Sequence, residues 1–322
     1  EPSQQSERAT MTSSQNPVRA GSPRKKLTRT LAPFLLLSPA VILVLVVLGY
    51  PMVRQFLMSF QKFGLEQQFG KPPTWVGLDN YIAILSDSYF WSVLAKSLAF
   101  CAWTAGLTMV GAISLALMMR AASPAARTFM NSTLIVVWAM PLLASLTVWQ
   151  WLVDPNFGLI NFLLASIGLP FKGFAWLSAS YWTFFLVASA IIIWASMPLA
   201  TISIYAAVTQ IDDSLLEAAQ IDGAGYISRL RYVIFPSISP VIALIGVLQV
   251  IWDLRVFTHI YVLQQSGSIS TETNLLGTYV YRLGISQGNY GMASALATVI
   301  LLITVVITAK YIHMLFTKGD AR

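Results

Sequence analysis

Ionisable side chains inside an otherwise apolar stretch are the first places to look for chemistry in this chain. Asp253, Arg255 and His259 fall within residues 238–262, a run otherwise dominated by apolar side chains. A charge held at membrane depth costs several kcal/mol, so such a residue usually faces a cavity or a partner. On one helix Asp253 and Arg255 are two apart and point in different directions, whereas Arg255 and His259 are four apart and share a face. If that helix runs outward from Pro240, Asp253 lies about 14 Å below its outer end at ~1.5 Å per residue. His259 is expected at the outer interface. None of these residues belongs to a catalytic pattern. His259 and His313 lack the HExxH spacing, no GxSxG occurs, and Gly70-Lys71 has Pro72 after it where a phosphate-binding loop needs Ser or Thr. The single cysteine, Cys101, excludes a disulfide framework and a cysteine-cluster metal site. The sequence predicts no catalytic residue, no metal ligand and no cofactor on this chain.

A second place is polar and small rather than charged and buried. Asp212, Asp213 and Ser214 are good helix starters, and Ser214 with Glu217 three residues later has the form of a capping box. A short amphipathic helix is expected from about residue 213. Gly223 and Gly225 then permit a sharp turn. A second helix over residues 226–234 leads to Pro236, which starts the next long apolar run. The result is a helix–turn–helix elbow; its plainer alternative is a surface connector.

These residues must be positioned by helices. Of 322 residues, 56% are hydrophobic and 10% charged, with a mean hydropathy of +0.68. Soluble domains carry about 25% charged residues, so the excess apolar surface requires lipid. The net charge of +7 sits in short segments beside apolar runs, which argues against nucleic acid. A bilayer core of about 30 Å takes about 20 apolar residues in a helix. Six runs meet this, at residues 32–50, 97–119, 130–153, 181–207, 238–262 and 291–309. Placing the N-terminus in the cytoplasm puts thirteen Lys and Arg inside against five outside, which satisfies the positive-inside rule. The expected fold is therefore all-α: a polytopic membrane protein with six transmembrane helices and both termini cytoplasmic. A basic tail covers residues 1–29, with Met11 one candidate start and no signal-peptide cleavage pattern. A six-helix transmembrane domain covers residues 30–317, the elbow residues 210–236 within it, and a short tail residues 318–322. Pro39, Pro141, Pro198 and Pro240 lie in the spans and either kink them or mark a cavity.

The elbow carries a resemblance. Glu217-Ala218-Ala219, then Gly223, then Val233-Ile234-Phe235-Pro236 resembles the EAA motif of permeases from binding-protein-dependent ABC importers, with Val233 and Phe235 in place of Ile and Leu. The stretches at 75–85, 155–170 and 257–267 are similar to outer loops of the sugar-permease branch, that of the maltose and glycerol-phosphate importers, although Thr258 replaces the usual Asp. The likeness extends from about Arg29 to Phe316.

The resemblance implies that the elbow is a coupling helix docked on an ATPase subunit. Glu217 would face a basic residue there, Ala218 and Ala219 would keep the helix slim, Gly223 would make the bend, and Asp222, Val233 and Pro236 complete the motif. It implies substrate-pathway positions at Gln249, Trp252, Asp253 and Val256, with Arg255 beside them, and at Trp194, Ala195, Ser196 and Leu199 around the Trp194-to-Pro198 spacing. It implies a second homologous permease, two ATPase subunits holding ATP and Mg, an extracellular substrate-binding protein and residence in the bacterial plasma membrane. The cargo implied is a carbohydrate, with an oligosaccharide favoured by Thr273-Asn274-Leu275-Leu276-Gly277. Glycerol phosphate or a polyol remains open within the class. An ion-coupled secondary transporter is the rival outside it, for which an internal repeat would be expected.

Overall fold

The computed structural model describes residues 36–319; the expected tail at 1–29 and the last three residues lie outside them. The chain divides at Gln55/Phe56 into two units. The first ends within helix α1, Leu36–Met58, an uncharged run up to Arg54. A π turn at Leu45–Gly49 closes with the Tyr50 amide on the Leu45 carbonyl, one residue before Pro51.

In the second unit, a two-stranded antiparallel pair, β1 (Gln61–Lys62) and β2 (Thr74–Trp75), leads into long helices. The Asn80 amide donates to Ser59 O and Gln61 O, fixing the pair to the next short helix. Helix α2, Ser88–Ala121, begins at Asp87, which accepts from the Tyr89 amide. Helix α3, Pro124–Ala139, begins at Ser123 with Pro124 at its first position, where a missing N–H costs nothing. Helix α4, Leu142–Leu152, follows after a bend of 100°. Helix α5, Tyr181–Thr209, is capped by Ser180. Helix α6, Asp213–Ile221, and a helical run over 226–254, α7, form the elbow and the next span. Helix α8, Thr258–Gln264, and helix α9, Tyr290–Gly319, follow, with shorter helices such as Leu159–Ser166 and Leu276–Tyr281 in the connections.

Among the described residues, five helical stretches are long and apolar enough to cross a bilayer, and the bent pair α3–α4, taken as one span, makes a sixth. This is the expected all-α, six-span architecture, with two corrections. Residues 130–153 do not form one straight span. Met140 takes φ −69°, ψ 130°, the extended conformation a residue before proline prefers, and Pro141 therefore ends α3 rather than kinking it. Pro198 and Pro240, by contrast, stay inside continuous helices. Residues 238–262 are not one helix either. Helix α7 stops at Leu254, and Phe257 sits at φ −127°, ψ −63°. A Cβ on Gly277 would come within 2.8 Å of the Val256 carbonyl, so the break is packed against a glycine that lets the two backbones approach.

Helices α2 and α5 make the most extensive pairing in the unit. Small buried residues occur on both, Ala105, Ala112 and Ala116 on one and Ala188 and Ala200 on the other, among larger ones such as Phe100 and Ile204. In lipid, helices gain little from hydrophobicity and associate through such close packing. At the elbow end, Ala112, Ala116, Ile204, Val208, Ile234 and Ile238 form one buried cluster, with Leu216 and Leu230 of the elbow packed on it.

Candidate functional site

The elbow is built by local rules. Its N-cap is Asp212, whose Oδ1 accepts from the Ser214 amide at 2.9 Å. This corrects the expected capping box: Ser214 is the second residue of α6 and does not cap it. The Ser214 hydrogen bond holds the Asp212 carboxyl below the ordinary carboxylate range. Helix α6 closes with a Schellman arrangement in which the Ala224 amide donates to Ala219 O at 2.9 Å and the Gly223 amide to Gln220 O at 3.0 Å. Gly223 takes φ +83°, which costs an L side chain about 1–2 kcal/mol. Gly225 does not share the turn. It lies at φ −66°, ψ 173° as the extended N-cap of α7.

The second elbow helix is not separate from the span. Residues 226–254 are continuous, with a π turn at Leu230–Ile234 that closes from the Phe235 amide to Leu230 O. Pro236 follows directly. The wider turn makes room where a proline ring would strike an α-helical carbonyl, so Pro236 extends the run instead of beginning it.

The elbow is anchored on one side and open on the other. Arg120, at the end of α2, donates Nη1 to Val208 O at 2.6 Å and Nη2 to Asp213 Oδ1 at 2.9 Å. Arg127 of α3 donates back to Met119 O at 3.2 Å. Glu217, Ala218, Asp222 and Gly223 are exposed, and Ala219, Val233 and Pro236 half-buried. Around them, Ile221 is 86% exposed, Ile227 78% and Tyr226 63%.

Midway along the bundle lies a cavity of about 260 Å³. Trp194, Ala195, Ser196 and Leu199 of α5 line it, as does Trp252 of α7. Five of the nine substrate-pathway residues implied by the sequence thus meet in one place. The other four do not. Gln249, Asp253 and Val256 are buried without lining the cavity: Thr104 Oγ1 donates to Asp253 Oδ2 at 2.8 Å and Gln249 Nε2 to Asp253 Oδ1 at 2.9 Å, and Val256 packs in the cluster of Leu146 and Ile260. Arg255 is exposed at the C-cap of α7 and shares no helix face with His259, because the chain breaks between them. His259 is the second residue of α8, beyond the break. It lines the cavity from α8, and its Nε2 is buried without a hydrogen-bond partner among the described residues.

Sequence reasoning missed the opposite wall, formed by Val137, Trp138, Met140, Leu142 and Ser145 at the α3–α4 bend. The available signal was Pro141 directly after Met140 in an apolar run containing Trp138. Trp149 buttresses Trp194 edge to face, with ring centroids 6.0 Å apart.

A helical membrane bundle with an interrupted span, a cavity at the interruption and an anchored elbow at one end defines a transport subunit. The chain belongs to the binding-protein-dependent transport system inner membrane component family, whose model matches residues 109–318. It is thus the permease type of subunit in ABC importers, a multi-pass inner-membrane protein. It is 35% identical over 291 residues to the diacetylchitobiose uptake system permease protein DasB of Streptomyces coelicolor, covering 90% of this chain and 88% of that one. It is 30% identical over 285 residues to the sulfoquinovosyl glycerol transport system permease protein SmoG of Agrobacterium fabrum, covering 88% and 90%. A crystal structure of a bacterial ABC transporter for alginate import contains a chain of the same fold, with TM-score 0.78 and 24% identity over 90% of this chain and 97% of that one.

Proposed function

We propose that this chain is a sugar-importer permease that passes an oligosaccharide through the tryptophan-lined cavity. It would act with a second homologous permease, two ATPase subunits that bind ATP and Mg, and an extracellular binding protein. The observation that carries the reading is the meeting of Trp138, Trp194 and Trp252 with Ser145, Ser196 and the unpartnered His259 Nε2. Indole faces suit the apolar faces of a sugar ring, and the hydroxyls and imidazole suit its edges. No Lys or Arg lines this cavity, which disfavours glycerol phosphate. Relatives named for diacetylchitobiose and sulfoquinovosyl glycerol uptake support a carbohydrate cargo.

The elbow is the drive shaft in this proposal, facing the cytoplasm with both chain termini. Exposed Ile221, Tyr226 and Ile227 offer an apolar contact of the helix-in-groove type. Glu217 contributes a charge, Ala218 and Ala219 allow close approach, Asp222 and Gly223 form the turn, and Val233 and Pro236 join it to α7.

The test is ATP hydrolysis by the purified complex in lipid, with binding protein and candidate saccharides. Trp252→Ala is expected to weaken saccharide stimulation about tenfold. Gly223→Pro and Glu217→Lys are expected to abolish stimulation in a complex that still assembles. Stimulation indifferent to the elbow variants would sink the coupling role assigned to the elbow.

A further inference from the structure

A second cavity, of about 380 Å³, opens at the end of the bundle opposite the elbow. We infer that it is an outer carbohydrate station that receives a saccharide before the tryptophan cavity does. The inference rests on the carbohydrate reading proposed above and adds a site to it.

The two cavities share their walls. Helix α4 gives Ser145 to the inner one and Thr147 and Gln150 to the outer. From Ser145 to Gln150 that helix rises about 7.5 Å. Helix α8 gives His259 to the inner cavity, and the turn after it gives Ser266 to the outer. Both cavities thus border α4 and α8, and the route we infer between them follows these two helices.

The outer lining has spare hydrogen-bonding capacity directed at hydroxyls. Asp154 Oδ1 accepts from the Asn156 and Phe157 amides at 2.8 and 2.9 Å, which leaves Oδ2 free. Gln150 Nε2 donates to Val262 O at 3.2 Å and Ser266 Oγ at 2.7 Å, which leaves Oε1 free. The exposed Ser178 residue lines the cavity as well. Trp176 is held rigid, its Nε1 donating to Asn161 Oδ1 at 2.6 Å and its ring stacked 5.2 Å from Phe171. A fixed indole beside a carboxylate and an amide oxygen recognises a neutral polyhydroxylated ring. Hydroxyls donating to a carboxylate make strong hydrogen bonds, whereas an anion would be repelled. The volume falls within the range of about 300–1,000 Å³ typical of small-ligand sites.

The experiment is cysteine protection in the assembled complex in nanodiscs, without binding protein. Ser178→Cys reports on the outer cavity and Ser196→Cys on the inner, with buried Cys101 left as an internal control. The probes are chito- and cello-oligosaccharides from di- to pentasaccharide, and the label is a charged maleimide. At a saccharide concentration about ten times Kd, labelling at position 178 is expected to slow about tenfold. Protection at 196 with unchanged labelling at 178 would overturn the outer station and leave the carbohydrate permease standing. Protection at neither position would bring down both.

Discussion

The Asp253 knot and the elbow are built in opposite senses. At Asp253 a carboxylate lies 3% exposed inside the bundle, with both oxygens occupied by Thr104 and Gln249 from two helices. At the elbow, Ile221, Tyr226 and Ile227 stand in the open while the local backbone is fully organised by a cap, a Schellman turn and the Arg120 clasp. One region has polar groups inside and satisfied; the other has apolar groups outside and unsatisfied. A closed polar knot holds helices together. An ordered apolar surface waits for a partner. Residue type alone does not separate these roles, since both regions feature an acid in an apolar setting.

The largest effect expected from this contrast is at the knot. Asp253→Leu strands Gln249, while Thr104 keeps the Phe100 carbonyl at 2.8 Å, and is expected to cost about 3 kcal/mol, seen as a lower unfolding temperature of the solubilised complex. Asp253→Asn keeps the geometry and should lose less than half of that. Equal losses would mean that the charge itself, not the hydrogen bonding, is what the bundle requires.

Next comes the clasp. Arg120→Ala removes a charged donor from the Val208 carbonyl and is expected to cost about 2 kcal/mol, read as faster amide exchange in α6. Asp213→Ala should cost only ~0.5 kcal/mol, because its side chain is 84% exposed. If the two are alike, the ion pair and not the carbonyl bond holds the elbow.

A smaller effect separates the two glycines. Gly223→Ala is expected to cost about 1 kcal/mol at φ +83°. Gly225→Ala, at negative φ with open space around it, should stay within ~0.5 kcal/mol. Helical content and ATPase coupling across the pair would expose any hidden demand at Gly225.

The smallest effect is a pH dependence at Asp212. Its carboxyl is lowered in the folded state by the Ser214 amide. The cap's contribution is therefore complete above the ordinary carboxylate pKa and is lost as pH falls through the lowered value. Amide exchange at Ser214 should be protected at neutral pH and lose that protection in acid. Loss in the alkaline direction would contradict the cap.

Much of this was legible in the sequence. Apolar runs of bilayer length located the spans, because lipid forces every backbone group into helices. The elbow was legible because Asp212, Gly223 and the intervening Ala residues act locally. The break after Leu254 was not, since Arg255-Val256-Phe257 contains no proline or glycine and the glycine that admits it is Gly277, twenty residues away. Asp253 read as a pathway residue for a similar reason. Its partner Thr104 lies 149 positions earlier, and no local pattern announces that pairing. The cavity was half visible: Trp194 and Trp252 could be picked out one helix at a time, while the facing wall exists only because Pro141 folds α3 and α4 apart.

The π turn at Leu230–Ile234 has a consequence for counting. It holds one more residue than the α turn it replaces, so the chain advances there without a matching rotation of the helix. A helical wheel drawn at 3.6 residues per turn from Tyr226 is about 100° out of phase above Ile234. Side-chain directions in α7 must therefore be indexed from Pro236 upward. A relative with one residue fewer between its elbow and its cavity would present the same cavity face, because the deletion would convert the π turn to an α turn and leave both flanks in step.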